Sequence, residues 1–411
     1  MKMFPGIQVT VSSRNSSSYD AAKDYRPVLK NAGFKTVDIN DEESIKAAIA
    51  DQDLVIHTAG PFQRTNNHKV LEQAIACKVP YMDVCDDLPF SEESKAKYGE
   101  AAKAAGVPAI ISSGIYPGTS NVMAAHIISI ARKEYDEDWN YHQPEPGEGV
   151  EPNLLRYSYY TAGSGGAGPT ILQTSFLLAG ETVTVYKDGE KYELPPISNR
   201  REVDFGPGIG RKGVWLYNLP EVMSAKKYLG VEGVSARFGT DPFYWNWAMW
   251  LMARLLPRSL LNDRNFVRRF ANLSDPFVRA VDAIVGEAVG MKIEVDFKGG
   301  KNSAGIFVHK ALGESMGTSV AAFAHAMLSG HTEPGVWYPE EKSALLDRRT
   351  FLKLASTGCE NFDLHCLEKS ALLDRRTFLK LASTGCERFD LNRSAWALES
   401  EPKQIGGLIY W

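Results

Sequence analysis

Over its first 125 residues the chain alternates short apolar runs with longer segments of helical period, the pattern of a parallel sheet wrapped by helices. Residues 7–11 read as a strand that ends at Arg14. Residues 37–39 close a second short strand, and Asp41, Glu42 and Glu43 then put carboxylates in the first turn of a helix, where the helix dipole favours them. The nearly continuous apolar run at 53–58 stops at Ala59-Gly60-Pro61, as a strand buried on both faces does before a tight turn. A helix over 67–77 follows. Next come a strand from Pro80 into the acidic loop of Asp83, Cys85, Asp86 and Asp87, a helix over 91–105 and a strand over 107–112. That strand ends in a loop containing Gly114, Tyr116, Pro117 and Gly118, with Ser120 or Asn121 placed to cap the next helix.

No glycine-rich turn and helix precede the first of these strands. In nucleotide-binding sheets such a turn lets backbone amides at a helix N-terminus approach a diphosphate. The expected fold is therefore α/β, a Rossmann-like parallel sheet lacking its first strand, with that strand and any targeting segment expected upstream. A second, α+β domain follows, its mixed or antiparallel sheet built from residues 154–160, 182–186, 213–217 and 291–298. Residues 317–330 read as a tightly packed helix with a glycine cap. The expected domains are 1–125, 126–335 and a C-terminal segment, 336–411. In that last segment residues 341–360 recur without a single exchange at 368–387. Two copies do not make a solenoid, so one is read as surplus, and the later one is expected to connect to the sheet.

Composition narrows the possible chemistry. With 411 residues and 44% hydrophobic positions the chain can bury more than one core. Its net charge of -4 offers no general attraction to nucleic acid or anionic lipid. Five cysteines without a C-x-x-C pair point to free thiols in a reducing compartment, and the N-terminus holds no apolar signal-peptide core, so the chain reads as soluble and intracellular. The eight histidines form no H-x-x-x-H or H-E-x-x-H arrangement, and no metal site is expected. The apolar block from Phe243 to Leu261, with Trp245, Trp247 and Trp250, is too short and interrupted to span a bilayer. Followed by Arg254, Arg258, Arg264, Arg268 and Arg269, it suits a peripheral membrane contact through residues 245–250, a homodimer surface, or packing of a helical insertion.

Three turns at strand C-terminal ends line up as one crevice, since open parallel sheets bind ligands there. Gly60, Pro61, Asp83, Cys85, Gly114 and Gly118 would line it. Arg14 stands where an acidic residue would favour NAD; a guanidinium there suits the 2′-phosphate of NADP(H), or is a surface arginine in a polar turn. Two stretches fit G-x-G-x-x-G. Gly208-Ile-Gly210-Arg-Lys-Gly213 leads into a strand and is a decoy, whereas Gly163 to Gly168 sits between a strand and a helix. There Gly165, Gly166 and Gly168 either hold a substrate carboxylate at the helix N-terminus or serve close packing.

The runs DLVIHTAGPFQ, VLEQAIACKVPYMDVCDD and AAGVPAIISSGIYPGTSNVMAAHI resemble the NADP-binding domain of the saccharopine dehydrogenase family, in particular its saccharopine dehydrogenase-like oxidoreductases. YYTAGSGGAGPTILQTSFLL, VGMKIEVDF and EPGVWYPEE extend the resemblance to about residue 340. The family's members begin with a strand and a GGxGxxG-type turn, which this sequence does not show. The resemblance implies that Arg14 meets the adenosine phosphate and Asp38 the adenine side, with Thr58, Ala59, Gly60 and Pro61 at the middle of the cofactor. Cys85, Asp86, Gly114, Pro117 and Gly118 would lie towards the nicotinamide. It also implies NADP(H)-linked hydride transfer on a small-molecule substrate, with Tyr116, Cys85 and Asp86 as ionisable candidates for the proton. Without the glycine-rich turn, the competing reading is a noncatalytic scaffold or membrane-surface protein that retains the fold.

Overall fold

The computed structural model describes residues 6–60, 62–135, 149–163 and 169–365. The chain begins with β1 (Thr10–Ser13), α1 (Ser16–Tyr25), β2 (Gly33–Thr36), α2 (Glu42–Ile49), β3 (Val55–His57), α3 (Lys69–Ala76), β4 (Tyr81–Asp83), α4 (Leu88–Ala105), β5 (Pro108–Ile110) and α5 (Thr119–Ala131). It continues through β6 (Pro152–Ala162), α6 (Pro169–Ala179), β7 (Val183–Lys187), β8 (Glu190–Leu194), β9 (Ser198–Asp204), β10 (Arg211–Leu216), α7 (Glu221–Tyr228) and β11 (Gly233–Asp241). After these come α8 (Phe243–Leu255), α9 (Arg258–Leu261), α10 (Arg264–Val285), β12 (Ala288–Phe297), β13 (Asn302–His309), α11 (Leu312–Leu328), β14 (Gly335–Trp337), α12 (Arg348–Ala355) and β15 (Asn361–His365).

Among the described residues two compact units result, one of residues 6–119 with 317–355, the other of residues 120–316 with 356–365. The sequence suggested consecutive domains divided at 125 and 335. The first unit is instead discontinuous, because β14 adds to the sheet edge in parallel with β5. Lys95 on α4 fastens it there, donating to the Val336 carbonyl at 2.7 Å and to Glu341 at 2.8 Å. The Phe323 and Phe351 rings, 4.3 Å apart, bring α12 against α11.

All strand pairings of the first unit are parallel, in a four-stranded sheet of order β14-β5-β4-β3 and a separate two-stranded sheet, β1-β2. Among the described residues no ladder joins the two, and Ile56 on the edge strand β3 is 41% exposed. The helices follow from local chemistry. The Asp41 carboxylate accepts from the Glu43 amide at the start of α2, and the Asp87 carboxylate from the Phe90 amide at the start of α4. Each such cap contributes about 1 kcal/mol. Ser120 and Asn121 are not caps: α5 already begins at Thr119, because the turn before it closes on itself through the Thr119 amide and the Gly114 carbonyl.

The second unit is α+β, with a nine-stranded mixed sheet running β15-β13-β12-β6-β11-β10-β9, and β7 and β8 branching from β11. Among the described residues of this sheet only β6 and β11 pair in parallel. The sheet curls, since Arg201 on β9 reaches Glu294 on β12 at 3.4 Å although three strands separate them in the order. Gly290 permits this approach, because a Cβ there would lie 2.5 Å from the Ile209 side chain. The glycines before β10 belong to the β9-β10 hairpin, as expected of a decoy. On the helical side α6, α8, α9 and α10 share a core that includes Phe176, Met249, Leu261, Val267 and Ala271.

The earlier repeat copy is the one the described structure seats. Phe351, Leu352 and Ala355 are buried, the segment ends at Gly358 with φ +83°, and β15 follows directly against β13. The later copy, 368–387, lies outside the described residues.

Candidate functional site

The C-terminal ends of β3, β4 and β5 are neighbours in register, with His57 opposite Asp83 and Met82 opposite Ile110. Their turns therefore form one rim. In the first turn Thr58, Ala59 and Gly60 are all exposed, and the Gly60 amide donates to the Thr58 carbonyl. Pro61 lies outside the described residues.

Asp83 fastens the second turn to the third. Its Oδ1 accepts from the amides of Cys85 at 3.0 Å and Ser112 at 2.8 Å, and its backbone carbonyl accepts from the Ser113 hydroxyl and amide. Its Oδ2 accepts from the Tyr81 hydroxyl at 3.0 Å, which lies 3.0 Å from Nδ1 of His57. Since the Tyr81 proton goes to the carboxylate, Nδ1 of His57 carries a proton and donates to Tyr81, leaving Nε2 as a bare acceptor. Nε2 is buried without a hydrogen-bond partner in the described structure. Burial pushes the imidazole down to about 4 and, outweighing its hydrogen bonds, raises the Asp83 carboxyl to about 6.

The third turn is built on Gly118, at φ +135°, where a Cβ would lie 2.1 Å from the Gly114 carbonyl oxygen. Only glycine fits. The turn leaves Tyr116 half-buried between the buried Ile115 and Pro117. Of the ionisable candidates Asp86 is likewise half-buried, whereas Cys85 is fully buried and desolvation raises its thiol well above the ordinary value. That thiol is protonated at neutral pH, so the accessible groups are Tyr116 and Asp86.

The ends of β1 and β2 carry the second group of expected residues. Arg14 is exposed in the turn between β1 and α1, beside the exposed Ser16 and Ser17 at the start of α1. Asp38 organises its own loop by accepting from the backbone and side chain of Asn40, which lowers its pKa; the charges of Arg14 and Lys69 add to that effect. The same loop is tied to the start of α3, where Asn67 donates to the Ile39 carbonyl at 3.0 Å and Lys69 to the Asn40 carbonyl at 2.9 Å. Because α3 follows β3, these bonds place Arg14, Asp38 and Lys69 at the same end of the unit as the Thr58, Ala59 and Gly60 turn.

Sequence reasoning missed Ser16, Ser17, Asn67 and Lys69. The serine run after Arg14 was a readable signal, whereas Asn67 and Lys69 matter only through the fold. The substrate candidates Gly165, Gly166 and Gly168 lie outside the described residues. Among the described residues no group of three or more His, Cys, Asp or Glu could hold a metal ion.

Residues 2–110 match the family model described as saccharopine dehydrogenase NADP binding domain. Among solved structures the chain is similar to apo histidine-tagged saccharopine dehydrogenase (L-Glu forming) from Saccharomyces cerevisiae, at 14% identity and a TM-score of 0.61. The likeness covers 88% of this chain and 95% of that one. No curated protein matches the sequence. The parallel strands and the rim of turns at their C-terminal ends fall largely within the segment, residues 2–110, that is similar to a saccharopine dehydrogenase NADP binding domain, and the solved structure shares the fold.

Proposed function

We propose that the protein is an oxidoreductase that binds NADP(H) on its first unit and transfers hydride to or from a small substrate. The carrying observation is the charge arrangement at the ends of β1 and β2, where the Arg14 and Lys69 charges act on Asp38 beside the open start of α1. Arg14, Ser16 and Ser17 suit a 2′-phosphate: a guanidinium supplies paired charge-assisted bonds, and a helix start adds amide donors. Asp38, already held ionised, suits the adenine side, and the open Thr58, Ala59 and Gly60 turn lets backbone approach the cofactor's middle. Gly118 supports the same reading, because its tight turn brings backbone rather than a side chain to this part of the rim.

The nicotinamide supplies the hydride chemistry when the cofactor is bound. The protein's part is to position the substrate and manage one proton, for which Tyr116 and Asp86 are the accessible groups. Cys85 packs the turn instead, and the Asp83 bonds hold the second and third turns at fixed spacing.

Titration with NADPH and NADH, followed by nicotinamide fluorescence, tests this reading. The parent chain should prefer NADPH, and Arg14→Ala should weaken NADPH by about 10- to 100-fold, the worth of charged hydrogen bonds, while leaving NADH almost unchanged. Equal weakening of both cofactors, or no preference in the parent chain, would refute the assignment.

A further inference from the structure

We propose that α8 and α10 form a surface that docks on an anionic phospholipid membrane, lying in its plane. The inner face of α8 is ordinary core. Met249 and Asn246 are buried, and the Asn246 side chain bonds both the amide and the carbonyl of Thr240, pinning the helix to the end of β11. The outer face has the opposite character to that of a water-facing helix. Phe243, Trp247, Leu251 and Leu255 recur every four residues, on one stripe, and are 70%, 54%, 48% and 69% exposed. On α10, Phe270, Leu273 and Phe277 form a second exposed apolar stripe at spacing three and four, beside the buried Val267 and Ala271. Both helices pack on α6, through Phe176 against Trp245 and against Phe270. Contiguous apolar surface of this kind marks an interaction site.

Charge selects the occupant. Residues 243–278 hold five arginines and two aspartates in a chain whose net charge is -4. Arg254 lies over the Trp250 ring, 5.2 Å from its centre, and Arg258, Arg264, Arg268 and Arg269 are exposed. A twofold interface would press this basic surface against its own copy, whereas anionic headgroups neutralise it while the aromatic stripe enters the acyl boundary. Among the described residues no helix is long and apolar enough to cross a membrane, which fits a helix pair that rests on one.

Flotation of the full chain with phosphatidylcholine vesicles, with and without about 30% phosphatidylserine, tests the proposal. The chain should float with the anionic vesicles, weaken at high salt, and stay behind with the neutral ones. Combining Phe243→Ser, Trp247→Ser and Leu251→Ser should lower partitioning by about tenfold or more with an unchanged circular dichroism spectrum, since the three side chains are exposed. Leu273→Ser with Phe277→Ser should also lower it. Absence of flotation, flotation indifferent to phosphatidylserine, or a sedimenting dimer that the triple variant dissociates would overturn the proposal.

Discussion

Replacing either end of the buried His57-Tyr81-Asp83 chain should expose a pH dependence that the intact protein conceals. His57, held near 4 against 6.5 for the free side chain, stays neutral in the fold while an unfolded chain takes up a proton. Between those limits stability therefore falls as pH falls. Asp83 behaves in the opposite sense: held near 6 against 3.8, it keeps its proton in the fold where the unfolded chain has lost it, so stability falls as pH rises. At about 1.4 kcal/mol per pH unit at most, and less where each folded midpoint is reached, each group changes stability by about 2 kcal/mol from pH 4 to 6, with opposite signs. Asp83→Asn leaves the histidine alone, and stability should climb from pH 4 to 6. His57→Gln leaves the carboxylate alone, and stability should drop over the same range. Pulse proteolysis in urea, read on peptides from residues 55–83, reports the unit concerned. The two variants should diverge by about 4 kcal/mol between pH 4 and 6, a difference that cancels the titration of every other group. Parallel profiles, within about 1 kcal/mol of one another, would show that the two residues are not buried as a linked pair.

Other perturbations probe the same unit. Gly118→Ala would force a Cβ to within 2.1 Å of the Gly114 oxygen at a positive φ, and should cost more than about 3 kcal/mol in denaturant titration. Lys95→Met removes two hydrogen bonds to the β14 segment and a cation 4.4 Å from the centre of the Trp337 ring; a loss of about 2 kcal/mol is expected, with early proteolysis around residues 335–341. Alkylation followed peptide by peptide should label Cys77, which is half-buried, well before Cys85, which is fully buried. Deleting residues 361–387 joins Glu360 to Arg388-Phe-Asp-Leu and restores the Phe-Asp-Leu of β15 in place; the shortened chain should unfold at the parent's midpoint.

Physical reasons separate what the sequence made legible from what it did not. β4 and β5 announce themselves because strands covered on both faces need unbroken apolar runs, β3 carries such a run although its Ile56 is exposed, and Asp41 advertises the α2 start because its carboxylate caps the helix. β2 carries no such run, being half exposed, and was read a few residues late. β8 and β9 lie largely in solvent, so neither a continuous apolar run nor a clean alternation marks them. β11 misleads for a different reason: Ser235 and Arg237 are buried on a polar side of the curled sheet, where Arg237 donates to Ser235 and to the Asn199 carbonyl. β14 is three residues long, and only its long-range pairing with β5 makes it a strand. The site divides in the same way. Arg14 and Gly118 were visible because a guanidinium after a strand and a glycine between strand and helix each imply one kind of chemistry. Lys69 was invisible because nothing in its own neighbourhood connects it to Asp38; the Asn67 bond to the Ile39 carbonyl does that, across a gap in sequence that local pattern does not span. Asp83 was visible as an acid at the rim, yet its principal work is to hold two turns together. Burial, which the sequence does not print, is what makes a carboxylate at a strand end a fastener rather than an open acid.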